Sequence, residues 1–142
     1  MRRLLPVNLD LALLVLRLVL AAVMLYHGIP KITNFGGVVG FMTSLNIPAP
    51  ALAAGFALLA EVVGGLLMLI GVATDIAGLL FAVDMTGAIV FLHWANGFDF
   101  AKGGWEHPFT LLGMALAIAL AGPGTLALGK AVRRHGGMAV GP

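Results

Sequence analysis

The chain has 142 residues, of which 61% are hydrophobic and 10% are charged, and its net charge is +2. A soluble domain carries about 25% charged residues, so this composition excludes a water-exposed globule. The thin charge balance also gives no basis for a nucleic-acid-binding surface. The chain has no cysteine, which excludes disulfides, thiolate nucleophiles and iron–sulfur ligation by thiolates. We therefore expect a protein of the lipid bilayer.

Four apolar segments are long enough to cross a membrane, which takes roughly 20 residues as a helix. They are residues 11–29, 52–72, 76–95 and 109–128. Asp10 and Arg17 interrupt the first segment, which favours a retained helix over a cleaved signal peptide. Residues 1–134 are thus predicted to form a single all-α domain, an integral membrane four-helix bundle. A flexible, glycine-rich tail is expected at residues 135–142.

Two features of the connections add detail to this topology. Residues 36–46 are apolar but too few to cross, so they predict a short interfacial or re-entrant helix between spans 1 and 2. Basic residues outside the spans lie mostly near the two termini. Five are terminal and two lie in connections: Arg2, Arg3, Lys130, Arg133 and Arg134, against Lys31 and Lys102. The positive-inside rule then predicts that both termini are cytoplasmic.

Three ionisable residues lie inside predicted spans: Arg17, Glu61 and Asp84. Each would cost about 2.5 to 3.5 kcal/mol if it faced lipid alone. A rise of about 1.5 Å per residue puts the three at similar depths, so we predict a buried cluster in which Arg17 is shared by the two carboxylates. Arg17 and Glu61 are the catalytic candidates, and Asp84 is a weaker one. In the alternative interpretation, the cluster only fixes helix packing.

A second polar layer is predicted where span 1 ends and span 4 begins. It contains His27 and Lys31 from the first span with Glu106 and His107 from the fourth. Such a layer offers donors, an acid and a base, and could hold the carbonyl oxygens of a ligand head group. The alternative is that His27 and Lys31 are ordinary interfacial residues, and this alternative is stronger still for His107.

His93 is the remaining histidine near this layer, and it raises the question of haem ligation together with His27. On an ideal helix His93 lies about 180° from Asp84. If Asp84 faces the core, His93 then faces lipid headgroups or a partner protein. We therefore do not expect a bis-histidine haem site.

An ordered set of polar and small residues runs through most of the chain, from Leu14 to Gly129. Its members are Arg17-Leu18, His27-Gly28, Lys31, Ala60-Glu61, Gly64-Gly65, Gly71, Met85, Ala88, Gly103-Gly104, Glu106 and Gly122-Pro123-Gly124. This pattern resembles the DoxX family of small four-helix membrane proteins, which includes the related DoxD subunit of thiosulfate:quinone oxidoreductase. Asp84 lies outside the pattern, and the chain has Ala127-Leu128-Gly129 where the family usually has a Ser-Leu-Asp-like ending.

The resemblance implies a multi-pass inner (plasma) membrane protein associated with a redox system. It carries over Arg17, His27, Lys31, Glu61 and Glu106 as family-motif positions, without a catalytic step for any of them. The resulting hypothesis is a quinone-interacting subunit in which Arg17 and Glu61 set the protonation of the core. His27, Lys31 and Glu106 would bind the quinone head group, and no covalent cofactor is expected.

Whether the chain is itself an enzyme is left open by the sequence. It has no flavin or nicotinamide fingerprint, so a quinone-linked oxidoreductase activity would need electrons from a partner redox protein. The expected partners are that protein, the lipid bilayer and, as an option, further copies of the chain. The main alternative is a non-enzymatic small carrier or a membrane assembly and anchoring subunit. A stand-alone enzyme that acts on a lipid-soluble substrate is a weaker third hypothesis.

Overall fold

A computed structural model describes residues 7–129 of the chain. Its helices are α1 (Leu9–Thr33), α2 (Phe35–Ser44), α3 (Pro50–Ile70), α4 (Thr74–Asn96) and α5 (Glu106–Ala121). A short 3₁₀ turn, Phe100–Lys102, lies between α4 and α5, and the described residues contain no strand. The tail predicted at residues 135–142 and the terminal basic residues lie outside this range.

Three of these helices are long and apolar enough to cross a membrane: α1 has 25 residues, α3 has 21 and α4 has 23. Large apolar side chains cover the outside of the bundle, as with Leu52 and Leu120, which are 77% and 89% exposed. This is the surface that a helical membrane protein presents to lipid. The predicted all-α membrane bundle is confirmed.

Helix α5 is shorter than the predicted fourth span. It has 16 residues and ends at Ala121, where Gly122 adopts a φ of 79°. Its length is about 24 Å at 1.5 Å per residue, whereas the hydrocarbon core of a bilayer is about 30 Å thick. A fourth complete crossing therefore stays a prediction. The first span also differs from the prediction. Helix α1 continues past Pro30 to Thr33, so the proline lies inside the helix instead of ending it.

The predicted short helix between the first two spans is present as α2. None of its residues is buried, and it packs against α3. Helix α2 therefore contributes nothing to the core. It covers the end of the bundle that contains the connections 34–49 and 97–105.

The core forms where α1 packs on α3 and α4 packs on α5. Its largest fully buried apolar side chains are Leu20, Met24, Met68, Phe81 and Ile118. Glycines allow these helices to approach closely. A Cβ at Gly78 of α4, for example, would lie only 2.7 Å from the carbonyl oxygen of Ala115 in α5.

Two stretches of the long helices are π-helical: Leu59–Gly64 within α3 and Ala88–His93 within α4. Hydrogen bonds from i to i+5 wind the chain less tightly than those of an α-helix, so side chains beyond such a stretch point in new directions. Short π-helical stretches are frequent at functional sites. In this protein they contain Glu61 and His93, and both residues border the same cavity.

Candidate functional site

A cavity of about 330 Å³ lies at the end of the bundle that α2 covers. All five helices contribute to its lining, which is mostly apolar and includes Met24, Phe56 and Phe91. Six ionisable residues also line it: His27, Lys31, Glu61, Asp84, His93 and His107. Small-molecule sites typically have volumes of about 300–1,000 Å³, apolar walls and a few polar groups that orient the ligand. We define this space as the polar-ended cavity.

Glu61 is the most buried of the six ionisable lining residues, and it forms an ion pair that joins α1 and α3; we call this part of the cavity its deep end. Lys31 Nζ donates a hydrogen bond to Glu61 Oε1 at 2.5 Å. The Glu61 side chain is 6% exposed and that of Lys31 is 26% exposed. The close approach of the two helices is possible because Gly28 lies directly against the backbone of Glu61. Glu61 is therefore held in place by a charged partner from one side.

Asp84 contributes a second carboxylate to the cavity from α4. It is close enough to Glu61 and Lys31 to interact electrostatically with both. Its Oδ2 is buried and accepts no hydrogen bond from any residue between 7 and 129. Glu61 Oε2 is also buried without a hydrogen-bond partner in the same range. The ammonium group of Lys31 thus pairs directly with Glu61, and Asp84 interacts with it only electrostatically.

Arg17 is not part of this cluster, so the prediction that it is shared by Glu61 and Asp84 is wrong. Its side chain is fully buried, and it donates from Nη1 to the Met68 carbonyl at 3.3 Å and from Nη2 to the Leu126 carbonyl at 2.5 Å. Met68 lies in the last turn of α3, where carbonyl groups have no partner within the helix. Arg17 therefore ties the end of α3 to the segment that follows α5.

Glu106 and Lys31 do not form the outer polar layer that the sequence predicts. Glu106 is not among the residues that line the polar-ended cavity. Its Oε2 accepts a hydrogen bond from the backbone N–H of Phe100 at 3.2 Å, so it holds the connection between α4 and α5. Lys31 points toward Glu61 instead of toward a head-group layer. The predicted layer is therefore divided between a loop contact and the cavity.

His27 and His107 do come together, as predicted. Both are exposed, and their ring centroids are 6.4 Å apart at the opening of the polar-ended cavity. Each neutral ring offers one donor and one acceptor, and the tautomer decides which nitrogen is which.

His93 lines the cavity together with Asp84, although an ideal helix would put the two on opposite faces. The π-helical stretch Ala88–His93 lies between them and breaks the α-helical count. The His93 Nδ1–H donates to the Gly103 carbonyl at 2.7 Å, which leaves Nε2 of the neutral ring as an acceptor. The prediction that His93 faces away from the core is wrong, so the direction of His93 is no longer a reason against haem ligation. The absence of haem binding stays an expectation.

Met42 and Ile47 are among the cavity residues that were not predicted, because their contact with the cavity depends on how α2 and its connection fold back. The pairing of Lys31 with Glu61 was not predicted either, although one signal was available. Lys31 is on the same stripe of α1 as Arg17 and Met24, which places it on the inward face. Between residues 7 and 129, no group of three or more His, Asp or Glu side chains is arranged to hold a metal ion.

The comparisons with known proteins agree with this architecture. The sequence profile of the DoxX family matches residues 12–94, which include most of α1, all of α2 and α3, and most of α4. The chain belongs to the DoxX family. A DoxX-family relative from Bacillus subtilis (strain 168), named "Putative oxidoreductase CatD", is 32% identical over 122 residues, which cover 84% of this chain and 85% of the relative.

A second relative of this DoxX-family chain is "Inner membrane protein YphA" from Escherichia coli (strain K12). It is 31% identical over 124 residues, which cover 83% of this chain and 88% of the relative. No solved structure matches the chain significantly. The names of these two relatives describe an oxidoreductase and an inner membrane protein, and they name no ligand.

Proposed function

We propose that this DoxX-family protein is the membrane subunit of a redox system and that its polar-ended cavity binds the head group of a membrane quinone or quinol. One observation carries the proposal: an apolar space between the helices has the Lys31–Glu61 pair and Asp84 at its deep end. A quinone is an apolar ring with polar oxygens at its edge, which is the kind of ligand that such a cavity accommodates.

The ionisable groups support the same proposal. Quinone chemistry moves protons together with electrons, and charged residues inside a membrane bundle are functional candidates because their burial is expensive. As carboxylates, Glu61 and Asp84 can accept hydrogen bonds from a ring hydroxyl at the deep end, while the rings of His27 and His107 offer a donor and an acceptor at the opening. The residues of this chain would thus bind and orient the ring and lie where protons reach or leave its oxygens.

Electrons would come from a partner oxidoreductase, because the chain has no cysteine and no dinucleotide-binding fingerprint. The name of the relative CatD supports a redox context, and that of YphA supports the inner membrane. We further propose that both termini are cytoplasmic, as the distribution of basic residues indicates. In that orientation the cavity opens toward the outer face, where α1 ends.

A steric block tests where the ligand binds. Ala53 lines the cavity from α3, whereas Ala51 on the same helix is exposed and does not line it. The protein is purified in mild detergent, and co-purifying quinones are extracted and quantified for the wild type, Ala53→Phe and Ala51→Phe. We expect quinone in the wild type and in Ala51→Phe, and little in folded Ala53→Phe. Equal retention by both variants would exclude the cavity as the site.

A carrier of lipophilic cations is the second candidate function. It is favoured by the charges of the cavity, where two carboxylates stand against one ammonium group. Tetraphenylphosphonium is a suitable probe because it is apolar and permanently charged. Saturable binding of this probe that decyl-ubiquinone does not displace would favour the carrier over the quinone site.

A further inference from the structure

The deep end of the polar-ended cavity has more hydrogen-bond acceptors than donors. An ionised carboxylate can only accept. Asp84 Oδ2 and Glu61 Oε2 are both buried and accept from no residue in the described range, while Glu61 Oε1 accepts from Lys31. Carboxylate oxygens on two helices therefore lack donors at the place where the ligand ring would lie.

The available donors are few. Lys31 has three N–H groups, of which one is directed at Glu61. His93 directs its Nδ1–H away from the cavity, to the carbonyl of Gly103. His27 and His107 are at the opening, where both are exposed. The remaining lining of the deep end, including Met24 and Ala57, is apolar and offers no donor. A ligand must therefore bring its own donors to satisfy Asp84.

The two redox forms of a quinone differ in this respect. The oxidised ring has two carbonyl oxygens, which only accept hydrogen bonds. The reduced ring has two hydroxyl groups, each of which donates one hydrogen bond and also accepts. A hydroxyl group could accept from Lys31 and donate to Asp84, whereas a carbonyl would leave Asp84 without a partner. Buried acceptors without a donor are strongly disfavoured.

We infer that the polar-ended cavity selects the reduced, dihydroxy form of a lipid-soluble quinone over the oxidised form, because unpartnered carboxylate oxygens of Asp84 and Glu61 lie at its deep end. This inference rests on the proposed quinone site and specifies which form of the ligand occupies it. Preferential binding of the quinol raises the reduction potential of the bound couple. Each tenfold preference corresponds to about 30 mV for two electrons.

The test compares the two forms of one probe. Decyl-ubiquinol and decyl-ubiquinone are titrated anaerobically into the full chain in detergent, and both dissociation constants are measured by calorimetry. We expect the quinol to bind at least about tenfold more tightly, a difference of 1.4 kcal/mol. Asp84→Asn should bring the ratio close to one, because the amide has its own N–H donors. Asp75→Asn is the matched control, since Asp75 is exposed on the same helix and outside the cavity.

The dimethyl ether of decyl-ubiquinol keeps the test decisive if the Asp84 variant does not fold. It keeps the reduced ring of the quinol but has O–CH3 in place of each O–H donor, so the wild type should bind it no better than the quinone. Equal affinity for the ether and the quinol, or equal affinity for quinol and quinone, would overturn the inference and leave the quinone site standing. Binding of neither redox form would overturn the proposed function itself.

Discussion

The substitution Gly28→Ala should destabilise the bundle because of the contact between α1 and the π-helical stretch of α3. A Cβ added at Gly28 would lie 2.7 Å from Glu61 Cβ, 2.8 Å from Val62 Cγ2 and 3.1 Å from the Glu61 carbonyl carbon. Real Cβ atoms essentially never approach other heavy atoms within 3.0 Å. A side-chain tip could rotate away, but a Cβ and a carbonyl carbon move only with the backbone. The two helices would therefore have to separate.

The magnitude follows from two opposing effects. Overpacking of a tight contact costs about 1–3 kcal/mol, and backbone involvement puts this case near the upper value. Replacing glycine by alanine inside a helix gains up to about 1 kcal/mol. The net loss is then about 2 kcal/mol. Gly113 is the matched control, because it lies inside α5 with no heavy atom within 4 Å of an added Cβ. Gly113→Ala should show only the gain, so the two variants should differ by about 3 kcal/mol.

Both free energies of unfolding can be measured by titrating the detergent-solubilised protein with sodium dodecyl sulfate and following helix content by circular dichroism. Gly28→Ala should also weaken quinol binding, because separating the helices displaces Glu61 from Lys31. Similar stabilities of Gly28→Ala and Gly113→Ala would refute the close contact between α1 and α3. Normal quinol affinity in a destabilised Gly28→Ala would refute the link between this contact and the cavity.

Three other substitutions probe the remaining polar contacts. Lys31→Met leaves Glu61 buried without its partner and should lower the free energy of unfolding by about 3 kcal/mol. Adding Glu61→Gln to this variant should restore most of that loss. Additive effects of the two substitutions in an unfolding titration would contradict the pairing. Arg17→Lys replaces a planar fork by a point charge that cannot reach two separate carbonyls, so hydrogen exchange should accelerate at residues 122–129 and not in α4. Glu106→Gln should leave quinol affinity unchanged, since this side chain contacts Phe100 and not the cavity; a loss of affinity would return Glu106 to the site.

The sequence by itself determined the all-α membrane bundle and the inward position of Glu61 and Asp84. Long apolar segments must fold as helices in a bilayer, because every backbone polar group has to be satisfied within the segment. The short apolar stretch before α3 could not cross and had to lie as a separate helix. Charges at Glu61 and Asp84 had to face the interior, because exposure of either to lipid is costly. Gly28 is one of the small residues in the sequence pattern, and its lack of a side chain permits the close contact of α1 with Glu61 of α3.

Only the tertiary structure decided which charges meet. Arg17 and Lys31 lie on one stripe of α1, and both have long, flexible side chains, so the sequence could not choose between them as the partner of Glu61. The choice depends on the free carbonyls at the end of α3, which attract Arg17 to the opposite end of the bundle. His93 enters the cavity because a π-helical stretch changes its direction, and periodicity does not encode such a stretch. Three-dimensional packing decides which partner a long side chain contacts and where a helix becomes π-helical. The composition along the chain decides which segments lie in the membrane.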